Sequence, residues 1–293
     1  MKSNKNILRI FDGAVAIVTG GASGIGQALA EELSRRGSEV ILADLQYELA
    51  QKVASQISSA GGKATAKQVD ITDFMAVETL VRETVSRTGR LDYMFNNAGI
   101  GIGGEVWQHH IEDWNRIIDV NLRGVTNGVQ AAYSVMFKQG FGHIVNTSSM
   151  AGLAPFPFEA GYVATKYAVV GLSSAIRVES ISRGIRVSVV CPGVIRTPIL
   201  RGGKYGKMLA DIPFDKMEPL FERYRPMSPA IFARKVLNAV AKNKAIIVVP
   251  AWWKVFWWLN RLSPSLWIFL SHRSFQKSQE EFKKLFNPDV AKK

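Results

Sequence analysis

Val15-Ala16-Ile17-Val18-Thr19-Gly20-Gly21-Ala22-Ser23-Gly24-Ile25-Gly26 is the stretch on which the fold turns. Its apolar, β-branched first half reads as a buried strand, and the Gly/Ser cluster after it leads into a segment of helical period at 24–36. Glycines in such a turn let the backbone approach a pyrophosphate closely. The helix N-terminus behind them supplies free N–H groups and the positive end of a dipole. A tight strand-to-helix turn without a ligand would use the same residues, so the rest of the chain must decide.

Outward from this unit the pattern repeats. Candidate strands at Glu39–Ala43, Ala64–Val69, Leu91–Asn96, His143–Thr147, Arg186–Val190 and Ala245–Val249 alternate with helical stretches at 46–60, 73–88, 112–138, 161–183 and 230–242. Strand and helix in strict alternation predict an α/β fold, a doubly wound parallel sheet of about seven strands. No repeat or linker interrupts it. Residues 1–250 are expected to form one domain, and residues 251–293 an extension of different composition.

The 293 residues are 47% hydrophobic and carry a net charge of +13, enough apolar material for a substantial core. A single cysteine, Cys191, excludes an internal disulfide, and no Cys/His spacing suggests a metal site. The pair His109-His110 is expected at the surface. The opening MKSNKNILRIFDG lacks the apolar core of a secretory signal, so a cytoplasmic location is expected. Positive charge concentrates late: residues 242–293 hold ten Lys/Arg against three Asp/Glu.

The strand ends carry the chemistry. Asp44 ends the second strand, 18 residues beyond Gly26, where a carboxylate can accept from both ribose hydroxyls of a dinucleotide. A 2′-phosphate would meet like charge there, and no Lys or Arg stands in 20–26 or 45–47 to offset it. NAD is therefore favoured over NADP. Asp70, with Ile71 beside it, ends the third strand at the position of an adenine edge. Asn97, Ala98 and Gly99 follow the fourth strand, where small residues allow close approach of a ligand to the backbone. Asn121 lies inside a long helix, an unusual place for an amide. The fifth strand delivers Ser148 and Ser149, and the sixth turns away at Pro192-Gly193.

Tyr162 and Lys166 stand four residues apart in the next helix and share one face. A phenol titrates near ~10, and an adjacent positive charge favours its ionised form. The pair therefore suits acid/base chemistry on an alcohol or carbonyl.

Taken together these residues resemble the short-chain dehydrogenase/reductase family, over roughly Phe11 to Pro250. TGGASGIG, Asp44, NNAG at 96–99, Asn121, the Ser149/Tyr162/Lys166 set and Pro192-Gly193 occur in that family's order. The resemblance implies a Rossmann-type NAD-binding catalytic domain in which Tyr162 is the acid/base. It implies that Ser149, thirteen residues earlier, grips the substrate oxygen, and that Lys166 lowers the phenol's pKa and bonds the nicotinamide ribose. Asn121 would hold a water of a proton relay. Gly20, Ser23, Gly24, Ile25, Gly26, Asp44, Asp70, Ile71, Asn97, Ala98, Gly99, Pro192, Gly193, Ile195 and Thr197 would line the cofactor, Thr197 meeting the carboxamide. The long helices at 112–138 and 161–183 would build a homodimer or homotetramer.

Between Thr197 and Pro229 lies the expected substrate lid, rich in Ile199, Leu200, Met208, Leu209, Ile212, Phe214, Met217, Leu220, Phe221 and Tyr224, with mobility from Gly202, Gly203 and Gly206. Pro155, Phe156, Pro157 and Phe158 add an apolar wall. A hydrophobic alcohol or ketone of steroid, retinoid, terpenoid or long-chain type is the expected substrate. Five of the seven tryptophans fall within residues 252–267, broken by Lys254, Arg261 and Pro264. That pattern fits an interfacial membrane contact through 251–270, a cap on the pocket, or an oligomer contact. A short amphipathic helix is expected around Phe275, Phe282, Leu285 and Phe286, fraying after Pro288. Two other functions compete: a 3-oxoacyl thioester reductase with an acidic carrier, and an NAD-sensing protein without turnover. No motif supports nucleic-acid binding.

Overall fold

A computed structural model describes residues 7–202, 204–209 and 221–286. Seven parallel strands form one sheet in the order β3-β2-β1-β4-β6-β7-β9. They are β1 (Val15–Thr19), β2 (Glu39–Asp44), β3 (Lys63–Gln68), β4 (Tyr93–Asn96), β6 (Gly142–Thr147), β7 (Ile185–Pro192) and β9 (Ile246–Val249). The order reverses between β1 and β4, which opens the crevice characteristic of doubly wound sheets on the carboxyl side of these strands. The fold class read from the alternation is the one observed.

Both faces of the sheet are covered, which explains the continuous apolar strands. One core packs α1 (Gly24–Arg35), α2 (Tyr47–Ser59) and α7 (Pro229–Ala241) against β1, β2 and β4. The other packs α3 (Phe74–Thr88), α5 (Gly124–Gln139) and α6 (Ala160–Ser180) on the opposite face. Asp73 caps α3 by accepting from Met75 N and Ala76 N.

The long helix expected over 112–138 is not continuous. It consists of α4 (Ile111–Ile118), a π-helical turn Asp119–Arg123, and α5. Such an inserted residue re-aims side chains and is often found at functional sites. Here it places Asn121 at the crevice. The expected strand at 91–96 begins only at Tyr93, because Asp92 turns inward to bond Arg90, Val15 N and Arg9 N. The strand expected at 186–190 runs longer, to Pro192. A two-stranded parallel ribbon, β5 (Gly101–Gly103) with β8 (Gly206–Met208), was not foreseen, since its glycine-rich sequence carries no strand pattern. It ties the expected lid to the segment after Gly99. Gly203, Ile212, Phe214, Met217 and Leu220 of that lid lie outside the described residues.

After Pro250 the chain forms α8 (Lys254–Leu262) and α9 (Pro264–Phe286). Pro264 opens α9, where its fixed φ is favourable and its missing N–H costs nothing. The expected short helix near Phe275 is the end of this longer one; the side chains of Phe282, Leu285 and Phe286, like Pro288, fall outside the described set.

Phe232 is fully buried on α7, against the face that also holds Leu29 and Leu33 of α1. Phe232→Ala is expected to destabilise the protein by about 3–5 kcal/mol through lost burial and a residual cavity, measured by chemical denaturation.

Candidate active site

Four strand ends converge, and side chains lock them to one another. Gly20 adopts φ 65, and a Cβ there would stand 2.9 Å from Ala98 Cα, so only glycine allows the turn to rest on Asn97-Ala98-Gly99. Thr19 holds that contact. Its hydroxyl accepts from Asn97 N (3.0 Å) and Ala98 N (3.1 Å), and donates to Phe95 O (3.3 Å). Asn97 Nδ2 returns a bond to Thr19 O (3.1 Å). Thr19 was missed as a site residue; a hydroxyl at the end of a strand entering a glycine turn is the signal that could have found it.

Ser23 begins α1 in an extended conformation, yet its side chain caps nothing, and no acidic residue stands in the first turn. The first N–H groups of α1, at Gly24, Ile25 and Gly26, thus have no side-chain acceptor. Thr197 stands against Gly24, its Cβ 3.2 Å from where a glycine Cβ would be.

Asp44 is buried at the end of β2. Its Oδ2 accepts from Ala22 N (3.0 Å) and its Oδ1 from Gln46 N (2.9 Å), which leaves lone pairs on both oxygens. Gln46 in turn donates to Tyr205 Oη (2.7 Å). Asp70 is exposed, and its Oδ1 accepts from Thr72 N and Oγ1 (2.9 and 2.7 Å). Ile71 is buried beside Gly124.

Of the two serines after β6, Ser148 is committed elsewhere. Its Oγ donates to Lys166 O (2.7 Å) from a buried position. Ser149 opens a 3-10 turn, accepts from Ala151 N (3.1 Å), and shares a hydrogen bond with Tyr162. Lys166 Nζ lies 5.3 Å from the centre of the Tyr162 ring and donates to Thr147 O (3.2 Å). Asn121 is fully buried: its Oδ1 accepts from Ile100 N (2.8 Å), and its Nδ2 donates to Ile100 O (2.9 Å). Asn121 Oδ1 and Lys166 Nζ lie 3.2 and 3.4 Å from where a Cβ on Gly99 would stand. Ser149, Tyr162, Lys166 and Asn121 are therefore brought together.

The electrostatics differ from expectation in one respect. Burial pushes the Tyr162 phenol above its ordinary value, the Glu159 carboxylate raises it further, and the Ser149 hydrogen bond opposes the rise. Lys166 itself is lowered to about 8 by burial. Desolvation is the dominant influence on the phenol. Glu159, one turn before Tyr162, is also raised by burial, to about 7. Sequence reading passed over it because nothing in the pattern says that a helix-opening Glu is desolvated.

The far side of the crevice is apolar. β7 ends at Pro192, and Gly193 N donates to Val249 O (2.9 Å). Ile195 is buried and pairs with Met227. Phe156 lies between Trp253 and Trp267, at ring separations of 6.2 and 5.8 Å. Trp267 Nε1 donates to Pro155 O (3.0 Å), Asn260 Nδ2 to Leu153 O (3.0 Å), and Phe275 packs on Phe158 (4.9 Å). The C-terminal helices thus brace the loop between Ser149 and Tyr162. His109, expected at the surface, is half-buried against Trp114 (5.5 Å), while His110 is exposed.

The short chain dehydrogenase family model matches residues 14–204. The cyclohexanol dehydrogenase of Acinetobacter sp. (strain SE19) is 38% identical over 208 residues, 71% of this chain and 83% of that protein. The 2,5-dichloro-2,5-cyclohexadiene-1,4-diol dehydrogenase LinX of Sphingobium indicum is 38% identical over 187 residues, 64% of this chain and 75% of the relative. The crystal structure of a short chain dehydrogenase/reductase from Burkholderia phymatum in complex with NAD superposes with a TM-score of 0.78 at 26% identity, covering 88% of this chain and 96% of that one. Sheet order, crevice and sequence similarity agree, and the chain belongs to the short-chain dehydrogenase/reductase family of oxidoreductases.

Proposed function

We propose that the protein oxidises a hydrophobic secondary alcohol with NAD, or reduces the matching ketone, using Tyr162 as the acid/base. The observation that carries this reading is the buried Lys166 ammonium beside the Tyr162 ring, with Ser149 bonded to the same phenol.

The residues present fit the dinucleotide. The uncapped N-terminus of α1, at Ser23 to Gly26, suits its pyrophosphate. Asp44 retains acceptor capacity for two ribose hydroxyls and would repel a 2′-phosphate, which disfavours NADP. The Burkholderia phymatum neighbour, solved with NAD, supports the same choice. Asp70 and Ile71 would flank the adenine, with the Asn97-Ala98-Gly99 backbone at the centre. Gly193, Ile195 and Thr197 would meet the nicotinamide end. When bound, the nicotinamide accepts a hydride from the alcohol carbon or returns one to the ketone.

The chain's own groups handle the proton and the oxygen. Ser149 donates to the substrate oxygen and stabilises the charge that develops there. Tyr162 takes the alcohol proton, or gives it back to the ketone oxygen. Lys166 lies beside the phenol ring and would bond the nicotinamide ribose. Asn121 supports a proton relay by holding a water on the lone pair that Ile100 leaves free.

A hydrophobic substrate follows from the wall of Pro155, Phe156, Pro157 and Phe158 under Trp253 and Trp267. Both curated relatives are named for six-membered-ring alcohols, so a ring-bearing alcohol is the substrate class to try first. For the assembly, the long helical stretch of α4 and α5 and the helix α6 are the surfaces we assign to a homodimer or homotetramer.

Tyr162→Phe is expected to lower turnover by about a thousandfold while NAD still quenches tryptophan fluorescence with an unchanged midpoint. Full activity in that variant would remove Tyr162 from the mechanism. A second test uses pH. Glu159 becomes charged as pH rises through about 7 and then raises the phenol, so Glu159→Gln should shift the alkaline-favoured rise of alcohol oxidation to lower pH. A profile identical to that of the parent protein would exclude Glu159 from the electrostatics of the site.

A further inference from the structure

The two C-terminal helices have two apolar faces, and only one is accounted for by the body of the protein. Toward the wall of the crevice, Trp253 and Trp267 are buried. On the other side of α8, Val255, Trp258 and Leu262 are 65%, 52% and 80% exposed. They sit at i, i+3 and i+7, a single stripe along the helix. Leu266, Phe269 and Leu270 continue exposed apolar surface onto α9, past Ser263. Water-facing tryptophan and leucine in such continuity mark an interaction surface rather than ordinary scatter.

Its charge identifies the partner. Lys254 and Arg261, seven residues apart on α8, run along one border of the stripe. The Arg273 guanidinium sits 4.5 Å over the Phe269 ring. Residues 251–279 contain these three cations and Lys277, and no Asp or Glu at all. A second copy of the chain is a poor occupant, because a two-fold contact would press this all-positive border near its own image. Among the described residues, no helix is long and apolar enough to cross a membrane. An amphipathic helix pair with tryptophans on its apolar stripe and Lys/Arg along the border matches the interfacial zone of a bilayer, where aromatic rings lie at headgroup depth and cations pair with anionic lipids.

We propose that the Val255/Trp258/Leu262 stripe and its continuation on α9 dock the protein on an anionic lipid surface, with α8 and α9 lying in the plane of the interface. The opposite faces of the same helices brace Leu153 to Phe158, so the docked side is the side of the substrate wall, and an alcohol dissolved in the lipid would be at hand. That last point rests on the proposed function. The docking itself does not.

The test is co-sedimentation of the full chain with phosphatidylcholine vesicles, with and without phosphatidylglycerol, at low and high salt. Binding is expected to be about tenfold tighter to the anionic vesicles and to weaken as salt rises. The Trp258→Glu/Leu262→Glu double variant should lose binding, and Lys254→Glu/Arg261→Glu should lose the preference for anionic lipid. NAD-induced fluorescence quenching and circular dichroism check that each variant is folded, without reference to turnover. Equal partition to both vesicle types, or binding that survives the double variant, would overturn the proposal. So would the absence of vesicle binding together with a smaller oligomer for the double variant in light scattering, which would assign the stripe to a second copy.

Discussion

The crevice depends on the parallel register of the central strands. Val18 pairs with Phe95, Asn96 with Asn146, and Thr147 with Val190, so β1, β4 and β6 end within a residue of one another and β7 runs on to Pro192. The glycine turn, Asn97 to Gly99 and Ser149 follow those ends directly, while α6 brings Tyr162 and Lys166, and the π-helical turn Asn121, against them. The register is held from inside as well. Asn96 Nδ2 donates to Asn146 Oδ1 (2.8 Å), and Asn146 Nδ2 donates to Ser173 Oγ (3.0 Å), a buried polar chain that ties two strands to α6. Slipping one strand by a residue would invert its faces and break that chain at once.

The first turns of α6 set the electrostatics of the same crevice. Lys166 is carried into the crevice by α6 and buried there, with Thr147 O as its hydrogen-bond acceptor. Burial opposes the charged forms of both ammonium and phenol, and Glu159 works in the same direction on Tyr162. A positively charged nicotinamide, when bound, would favour the phenolate, and Lys166 is the chain's own cation beside the Tyr162 ring. Burial and Glu159 thus both favour the protonated phenol.

The segment after Pro250 is part of this architecture. Its tryptophans serve two surfaces: Trp253 and Trp267 close on Phe156, while Trp258 faces outward. The same two helices thus pack on Phe156 from one side and expose an apolar stripe on the other. The expectations of a pocket cap and of a surface contact for this segment are therefore compatible, because opposite sides of the same helices carry them.

Much of the site was legible in the chain because its parts are local. A glycine turn between a strand and a helix, and a Tyr and Lys one turn apart, need only a few consecutive residues to state their geometry. Seven strands in alternation with helices already determined a parallel, doubly wound sheet, since such strands must be buried on both faces. What depended on distant segments was not legible. The π-helical turn at Asn121, the commitment of Ser148 to Lys166 O, and the ribbon joining Gly101–Gly103 to Gly206–Met208 all arise from contacts between separate elements. The same holds for desolvation: Glu159 and Tyr162 are shifted by what packs around them, and no local pattern encodes that. The sequence by itself determined the order of the elements and the chemical groups at their ends; tertiary structure alone decided which of those groups lose water, because burial is a property of the neighbours and not of the residue.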